Sequence, residues 1–138
     1  MNIKRSLLGG FMLALATVAF ATPPEGYIEI NYHRCDKKYT NWGVHLWQDP
    51  NMPLEDIAWP DPMKPTGTSE FGIYWHRKLS EFGNKGHVNY IIHKGDIKEQ
   101  GSKDMDFNGN EHKAIWVRTK ESTTFFSLAD AMKDHVCK

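Results

Sequence analysis

The sequence predicts an all-β domain: a small antiparallel β-sandwich with one short helix at its C-terminus. Three observations predict it. Five short stretches rich in aromatic and β-branched residues alternate apolar with polar side chains, the period of two expected of half-buried strands. Segments dense in proline, glycine and charge separate them. Only the last segment carries a helix start signal. Short strands with long connections bury their apolar faces by stacking as two sheets.

The elements follow in chain order. Met1 to Arg5 is basic, Leu7 to Phe20 is an apolar run, and Ala19-Phe20-Ala21 ends it with small residues at the specificity positions. That pattern is a secretory signal peptide over residues 1–21, too short to span a bilayer, and it leaves residues 22–138 as one domain. The first strand is Tyr27 to His33, with Ile28, Ile30 and Tyr32 inward and Glu29 and Asn31 outward. The second is Trp42 to Trp47. The third is Phe71 to Arg77, with Phe71, Ile73 and Trp75 on one face. The fourth is His87 to His93, with Val88, Tyr90 and Ile92 inward. The fifth is Lys113 to Arg118, and Thr123 to Phe126 is a candidate sixth. Asp49 to Glu70 holds five prolines and reads as a long loop, as does the polar, glycine-bearing Gly95 to Asn110. Ser127 is placed to cap a helix, with Asp130 three residues on and an apolar stripe of Leu128, Ala131, Met132 and Val136.

Composition narrows the function classes. Seventeen basic residues balance seventeen acidic ones. Lys4 and Arg5 leave with the signal, so the remainder is acidic by two charges. Bulk electrostatic binding of nucleic acid is excluded on that balance. Export makes a disulfide the reading of the two cysteines, Cys35 and Cys137, which would tie together the two ends of the domain. No histidine pair has the HxxxH or HExxH spacing of a helical metal site, and neither metal nor cofactor is expected.

The second strand carries the chemistry. Alternation puts Trp42, Val44 and Leu46 on one face, as core, and Gly43, His45 and Trp47 on the other. His45 and Trp47 then lie roughly 6–7 Å apart along the strand, about the size of a pyranose ring. An aromatic side chain can cover the apolar face of a sugar while the hydroxyls stay wet or bond polar neighbours. The small Gly43 leaves the approach open. Packing of Trp47 under the proline-rich loop is the competing reading. Trp59 and Trp116 read as anchors of loop and core.

Several blocks in one order resemble a known family: Asn31-Tyr32-His33-Arg34, Tyr39-Thr40-Asn41-Trp42-Gly43-Val44-His45-Leu46-Trp47, Phe71-Gly72-Ile73-Tyr74 and Asn89-Tyr90-Ile91-Ile92-His93-Lys94-Gly95-Asp96. They are similar to the pullulanase-associated carbohydrate-binding module, family 41 among such modules, from about Tyr27 to Val117. The resemblance implies an immunoglobulin-like β-sandwich that binds α-glucans such as amylose, amylopectin, glycogen or pullulan. It implies stacking of glucose on His45 and Trp47, the first being a Trp in some members. It also implies hydrogen bonds to sugar hydroxyls from a Lys and an Asp in the loop after the fourth strand. Lys98 and Asp104 are the best matches, with Lys94, Asp96, Lys103 and Asp106 as substitutes. A lysine donates and a carboxylate accepts, which suits neighbouring hydroxyls on one ring.

The expected function is therefore non-catalytic binding of an α-glucan polysaccharide or maltooligosaccharide, in the periplasm or outside the cell, with no membrane association once the signal is cut. Such modules usually accompany an amylolytic domain, so a separate amylolytic enzyme is an expected partner. Two other classes remain open at this point: a small hydrolase, which needs a pair of carboxylates, and a protein-interaction module (an inhibitor or adhesin) that keeps the fold without the sugar.

Overall fold

A computed structural model describes residues 22–137; the expected signal peptide, residues 1–21, lies outside them. In chain order the strands are β1 (Tyr27–His33), β2 (Gly43–Gln48), β3 (Met52–Pro53), β4 (Gly67–Thr68), β5 (Ile73–Lys78), β6 (His87–Lys94), β7 (Ile97–Lys98), β8 (Met105–Asn108), β9 (Ala114–Arg118) and β10 (Thr124–Phe125). A 3₁₀ turn spans Leu79–Phe82, and a single α-helix, α1, spans Leu128–Met132.

Two sheets form. One has the order β10-β9-β1-β5-β4; the other runs β3-β2-β6-β7, with β8 also paired to β6. All pairings are antiparallel except β1 with β9, which run parallel from Glu29 opposite Ala114 to His33 opposite Arg118.

The inward faces are those that alternation selects. Ile28, Ile30, Tyr32, Ile73, Trp75, Ile115 and Val117 of the first sheet meet Val44, Leu46, Val88, Tyr90, Ile92 and Phe107 of the second in one buried cluster. Each large side chain so buried is worth roughly 1.5–3 kcal/mol against exposure. The cluster is therefore the main favourable term in a fold with a net stability on the order of 5–15 kcal/mol.

The structure corrects three sequence expectations. Glu29 (0 % exposed) and Asn31 (2 %) are buried, not solvated. β1 is the middle strand of its sheet, and neighbours on both sides cover its outward face. His76 of β5 reaches Glu29 at 2.7 Å, and Asn31 donates to Glu29 at 2.7 Å and to the Ile115 carbonyl at 3.1 Å. Second, neither expected long loop is plain: β3 and β4 lie within Asp49 to Glu70, and β7 and β8 lie within Gly95 to Asn110 and extend the second sheet. Third, Gly43 is not an open approach. A Cβ there would come within 2.7 Å of Pro62 Cγ, because Val44 and Met63 bond backbone to backbone directly over it.

At the C-terminus Ser127 caps α1 as expected, accepting from the Asp130 amide at 3.0 Å. The helix ends at Met132, short of Val136; Ala131 is buried, while Met132 and Val136 are exposed. Cys35, just after β1, and Cys137 form a disulfide.

Candidate functional site

Strand β2 is both core and surface. Val44 and Leu46 point inward, fully buried, while His45 and Trp47 stand half-buried on the outer face. Their ring centroids are 5.5 Å apart and their planes differ by 34°. β6 lies beside β2, with Ile91 opposite His45. Together they floor a shallow cleft of about 420 Å³ whose walls include Lys98 and Asp104. The structure thus gathers His45, Trp47, Lys98 and Asp104 around one depression.

A fifth side chain belongs to this cleft, one that sequence reasoning assigned to loop packing. Trp59 occupies the tip of a tight turn in the proline-rich segment, where Ala58 and Asp61 bond to each other across Trp59-Pro60. Its indole lies flat on the buried His93 ring, with centroids 3.8 Å apart and planes within 3°. Its Nε1 donates to Asp96 at 3.1 Å. The Lys98 ammonium sits 5.5 Å from its centroid, within cation–π range. The indole meets His45 edge-on at 5.6 Å. A Trp outside any alternating strand, beside Pro at the apex of a loop, was the available signal. Alternation is blind to it because the turn has no period.

The loop that carries Lys98 and Asp104 is anchored from beneath. Glu99, 8 % exposed, turns under the fold and accepts the Tyr32 hydroxyl proton at 2.5 Å and an Arg34 Nη1–H at 3.3 Å. The Lys120 backbone amide also donates to it. Gln100, also buried, donates to the Thr123 carbonyl at 3.4 Å. Burial first, and then the Glu99 carboxylate, push the Tyr32 phenol far above its ordinary pKa, so it stays a proton donor. The buried Glu99 and Gln100 pin the loop from below, and Lys98 beside them lines the cleft.

The substitutes for Lys98 and Asp104 have other places. Asp96 holds the Trp59 indole, and Asp106 lies 3.2 Å from His87 Nε2. Lys94 borders a different depression, beside Asp36 and Thr119. Lys103 is exposed in the loop.

Burial lowers the pKa of His45 and of the His93 ring beneath Trp59; the neighbouring His93 lowers that of His45 further, and Asp104 opposes the shift. His45 is therefore neutral at pH 7, and its Nδ1 is buried without a hydrogen-bond partner among the described residues. The cleft thus offers three uncharged aromatic surfaces, one cation and one carboxylate. That set suits a neutral, many-hydroxyl ligand with apolar ring faces.

The family model described as "Bacterial pullanase-associated domain" matches residues 26–126. An α-amylase of Streptomyces lividans is 31 % identical over 70 residues, which is 51 % of this chain and 7 % of the amylase. The chain thus spans a small fraction of that relative's length. A streptococcal structure titled for α-glucan recognition by family 41 carbohydrate-binding modules superposes with a TM-score of 0.63 at 26 % identity, over 78 % of this chain and 50 % of that one. The Klebsiella pneumoniae pullulanase complexed with maltotriose superposes with a TM-score of 0.67 at 19 % identity, over 85 % of this chain and 12 % of that one, a likeness of fold.

Proposed function

The chain belongs to the bacterial pullanase-associated domain family, and from that premise we propose that it is an exported protein that binds α-glucans without cleaving them. The observation that carries this reading is the convergence of His45, Trp47, Trp59, Lys98 and Asp104 on one cleft. In the binding mode inferred here, Trp47 and His45 cover the apolar face of successive glucose rings. Trp59 closes the side of the cleft. Lys98 donates to, and Asp104 accepts from, the ring hydroxyls, and these charge-assisted bonds fix ring orientation. A chain of α-linked glucose curves, so a tilted pair of rings suits it better than a flat one; the two rings here are tilted by 34°.

Non-catalytic binding is favoured by the acid count in the cleft. Asp104 is the one carboxylate lining it among the described residues, and carboxylate-pair hydrolysis needs two. A shallow, partly open platform predicts a dissociation constant of roughly 10 µM to 1 mM, about −4 to −7 kcal/mol.

Affinity electrophoresis in amylopectin or glycogen gels tests the assignment. The parent protein is retarded and Trp47→Ala migrates as in a glucan-free gel while its circular dichroism is unchanged. Undiminished retardation of Trp47→Ala removes the assigned site. A parent protein retarded by no α-glucan removes the function, and leaves a protein-interaction module in its place.

A further inference from the structure

Two imidazoles face the Cys35–Cys137 bridge. We propose that, when this disulfide is reduced, His33, Cys35, His135 and Cys137 form a tetrahedral zinc site, so that the corner joining β1 to the C-terminus exchanges a covalent link for a metal link. This site is separate from the glucan cleft and does not rest on the reading given for it.

The sequence sets it up twice. His33-Arg34-Cys35 and His135-Val136-Cys137 are both His-X-Cys. Each segment turns its nitrogen and its sulfur toward the bridge, where every nitrogen–sulfur distance is between 3.4 and 3.8 Å. The disulfide brings the two segments together. The four potential ligand atoms all lie within 4.8 Å of one another.

The distances fit one metal. Zn–S bonds of about 2.3 Å and Zn–N bonds of about 2.0–2.1 Å at tetrahedral angles require N···S edges of about 3.6 Å. His33 Nε2 lies 3.4 Å from Cys137 Sγ and 3.7 Å from Cys35 Sγ. His135 Nε2 lies 3.8 Å from Cys35 Sγ and 3.7 Å from Cys137 Sγ. All four nitrogen–sulfur edges of the tetrahedron are therefore already in place; what remains is for the bonded sulfurs to part and for the two nitrogens, within 4.8 Å of each other, to come to about 3.3 Å.

A second observation is independent of these distances. His33 Nδ1 is 2.7 Å from the Phe71 carbonyl. A carbonyl only accepts, so Nδ1 carries the proton and the lone pair is on Nε2, the nitrogen directed at both sulfurs. A ligating histidine is held in this way by its outer nitrogen. The His135 ring stands edge-on to His33, with centroids 5.0 Å apart. Both cysteines are exposed, so a reductant and a metal can reach them.

The exchange balances. A dithiol passes two electrons and two protons to the Cys35–Cys137 disulfide, giving two thiols, and becomes a cyclic disulfide itself. Zn²⁺ then displaces the two thiol protons, forming two Zn–S and two Zn–N bonds around a site of zero net charge. A disulfide oxidant reverses the step: it takes two electrons from the thiolate pair and two protons from solvent, leaves as a dithiol, and Zn²⁺ is expelled as the Cys35–Cys137 bond re-forms.

The test is anaerobic titration of the purified chain, reduced with a phosphine and freed of excess reductant, using Co²⁺ as the spectroscopic probe. The expected result is one Co²⁺ per chain, with the intense visible bands of tetrahedral cobalt and thiolate-to-cobalt charge transfer, displaced by one equivalent of Zn²⁺. The oxidised protein gives neither signal. His33→Ala and His135→Ala should each weaken Zn²⁺ binding at least about 10–100-fold, the loss seen even for residues that only orient a ligand; His112→Ala should not. Weak octahedral cobalt bands, or zinc affinity unchanged in the His33→Ala/His135→Ala double variant, would overturn the proposal. Reduction alone frees residues 133–137 from β1, so amide NMR is recorded in parallel. Zn²⁺ must restore dispersed signals for that segment, and failure to do so also overturns it. Retardation by amylopectin, measured with and without Zn²⁺, is expected to be the same.

Discussion

Replacing Glu99 by Ala should unlatch the loop that carries Lys98 and Asp104. Glu99 holds three donors: the Tyr32 hydroxyl at 2.5 Å, an Arg34 Nη1–H at 3.3 Å and the Lys120 amide. The truncation leaves Arg34 paired with Asp36 at 2.9 Å and still donating to Tyr32 at 2.9 Å. The Tyr32 hydroxyl proton, in a side chain with 0 % exposure, loses its acceptor. One stranded buried donor costs about 1–3 kcal/mol, and bonds to a charged acceptor contribute about 1.5–3 kcal/mol each. Partial relaxation and water entry trim the sum to about 3–5 kcal/mol, the range found when one member of a buried pair is removed. With a urea slope of about 1–3 kcal/mol/M, the unfolding midpoint should fall by about 2 M. Glu99→Gln keeps an acceptor oxygen and should lose about half as much. Glucan retardation, measured where the variant is still folded, should fall with the Ala exchange because Lys98 and Asp104 lose their fixed positions. A midpoint shift worth less than about 1 kcal/mol refutes the latch. A large shift with unchanged retardation refutes the link between latch and cleft.

Further outcomes follow from the same geometry. Trp59→Ala should weaken glucan binding about 5–13-fold, since an aromatic wall covering some 40–60 Å² of sugar contributes about 1–1.5 kcal/mol; isothermal titration with a maltooligosaccharide measures it. Gly43→Ala forces a Cβ onto Pro62 at 2.7 Å, and should cost about 1–3 kcal/mol in urea unfolding as the strap over Val44 lifts. Sugar covering His45 desolvates a ring whose pKa burial already lowers, so the neutral form binds better. Affinity should be full above the ordinary histidine pKa near 6.5 and decline on acidification through the lowered value, by at most about tenfold per pH unit. The same sign holds for folding: the lowered pKa values of His45 and His93 add stability above about pH 6.5 that is lost below it. His45→Trp should flatten the binding profile and raise affinity.

The inward faces of the sandwich were legible because alternation acts residue by residue. Trp42 just before β2, Val44 and Leu46 on it, and Val88, Tyr90 and Ile92 on β6 are buried as their spacing requires. What sequence reasoning missed depends on neighbours. Glu29 and Asn31 looked like solvent-facing positions, and nothing local shows that β1 lies between β5 and β9. Strands of two residues, such as β7, have no period to detect. Trp59 is held at the cleft by groups far away in the chain, the His93 ring beneath it and the Asp96 carboxylate. Ser127 was readable as a cap because its bond to the Asp130 amide spans only three residues.

The disulfide also decides where a pull on this domain would travel. It joins residues 102 positions apart, one just past β1 and the other beyond α1. Tension applied between a point before Tyr27 and a point after Cys137 runs along β1 and crosses directly from Cys35 to Cys137. Everything from Asp36 to Val136, the cleft included, is off that covalent line. β1 is already extended and bonded on both sides, to β5 and β9. A load can therefore stretch the chain little before it must shear both ladders at once. While the bridge is closed, the cleft hangs beside the tensioned strand rather than in series with it, and a load along that line does not pay out its loops.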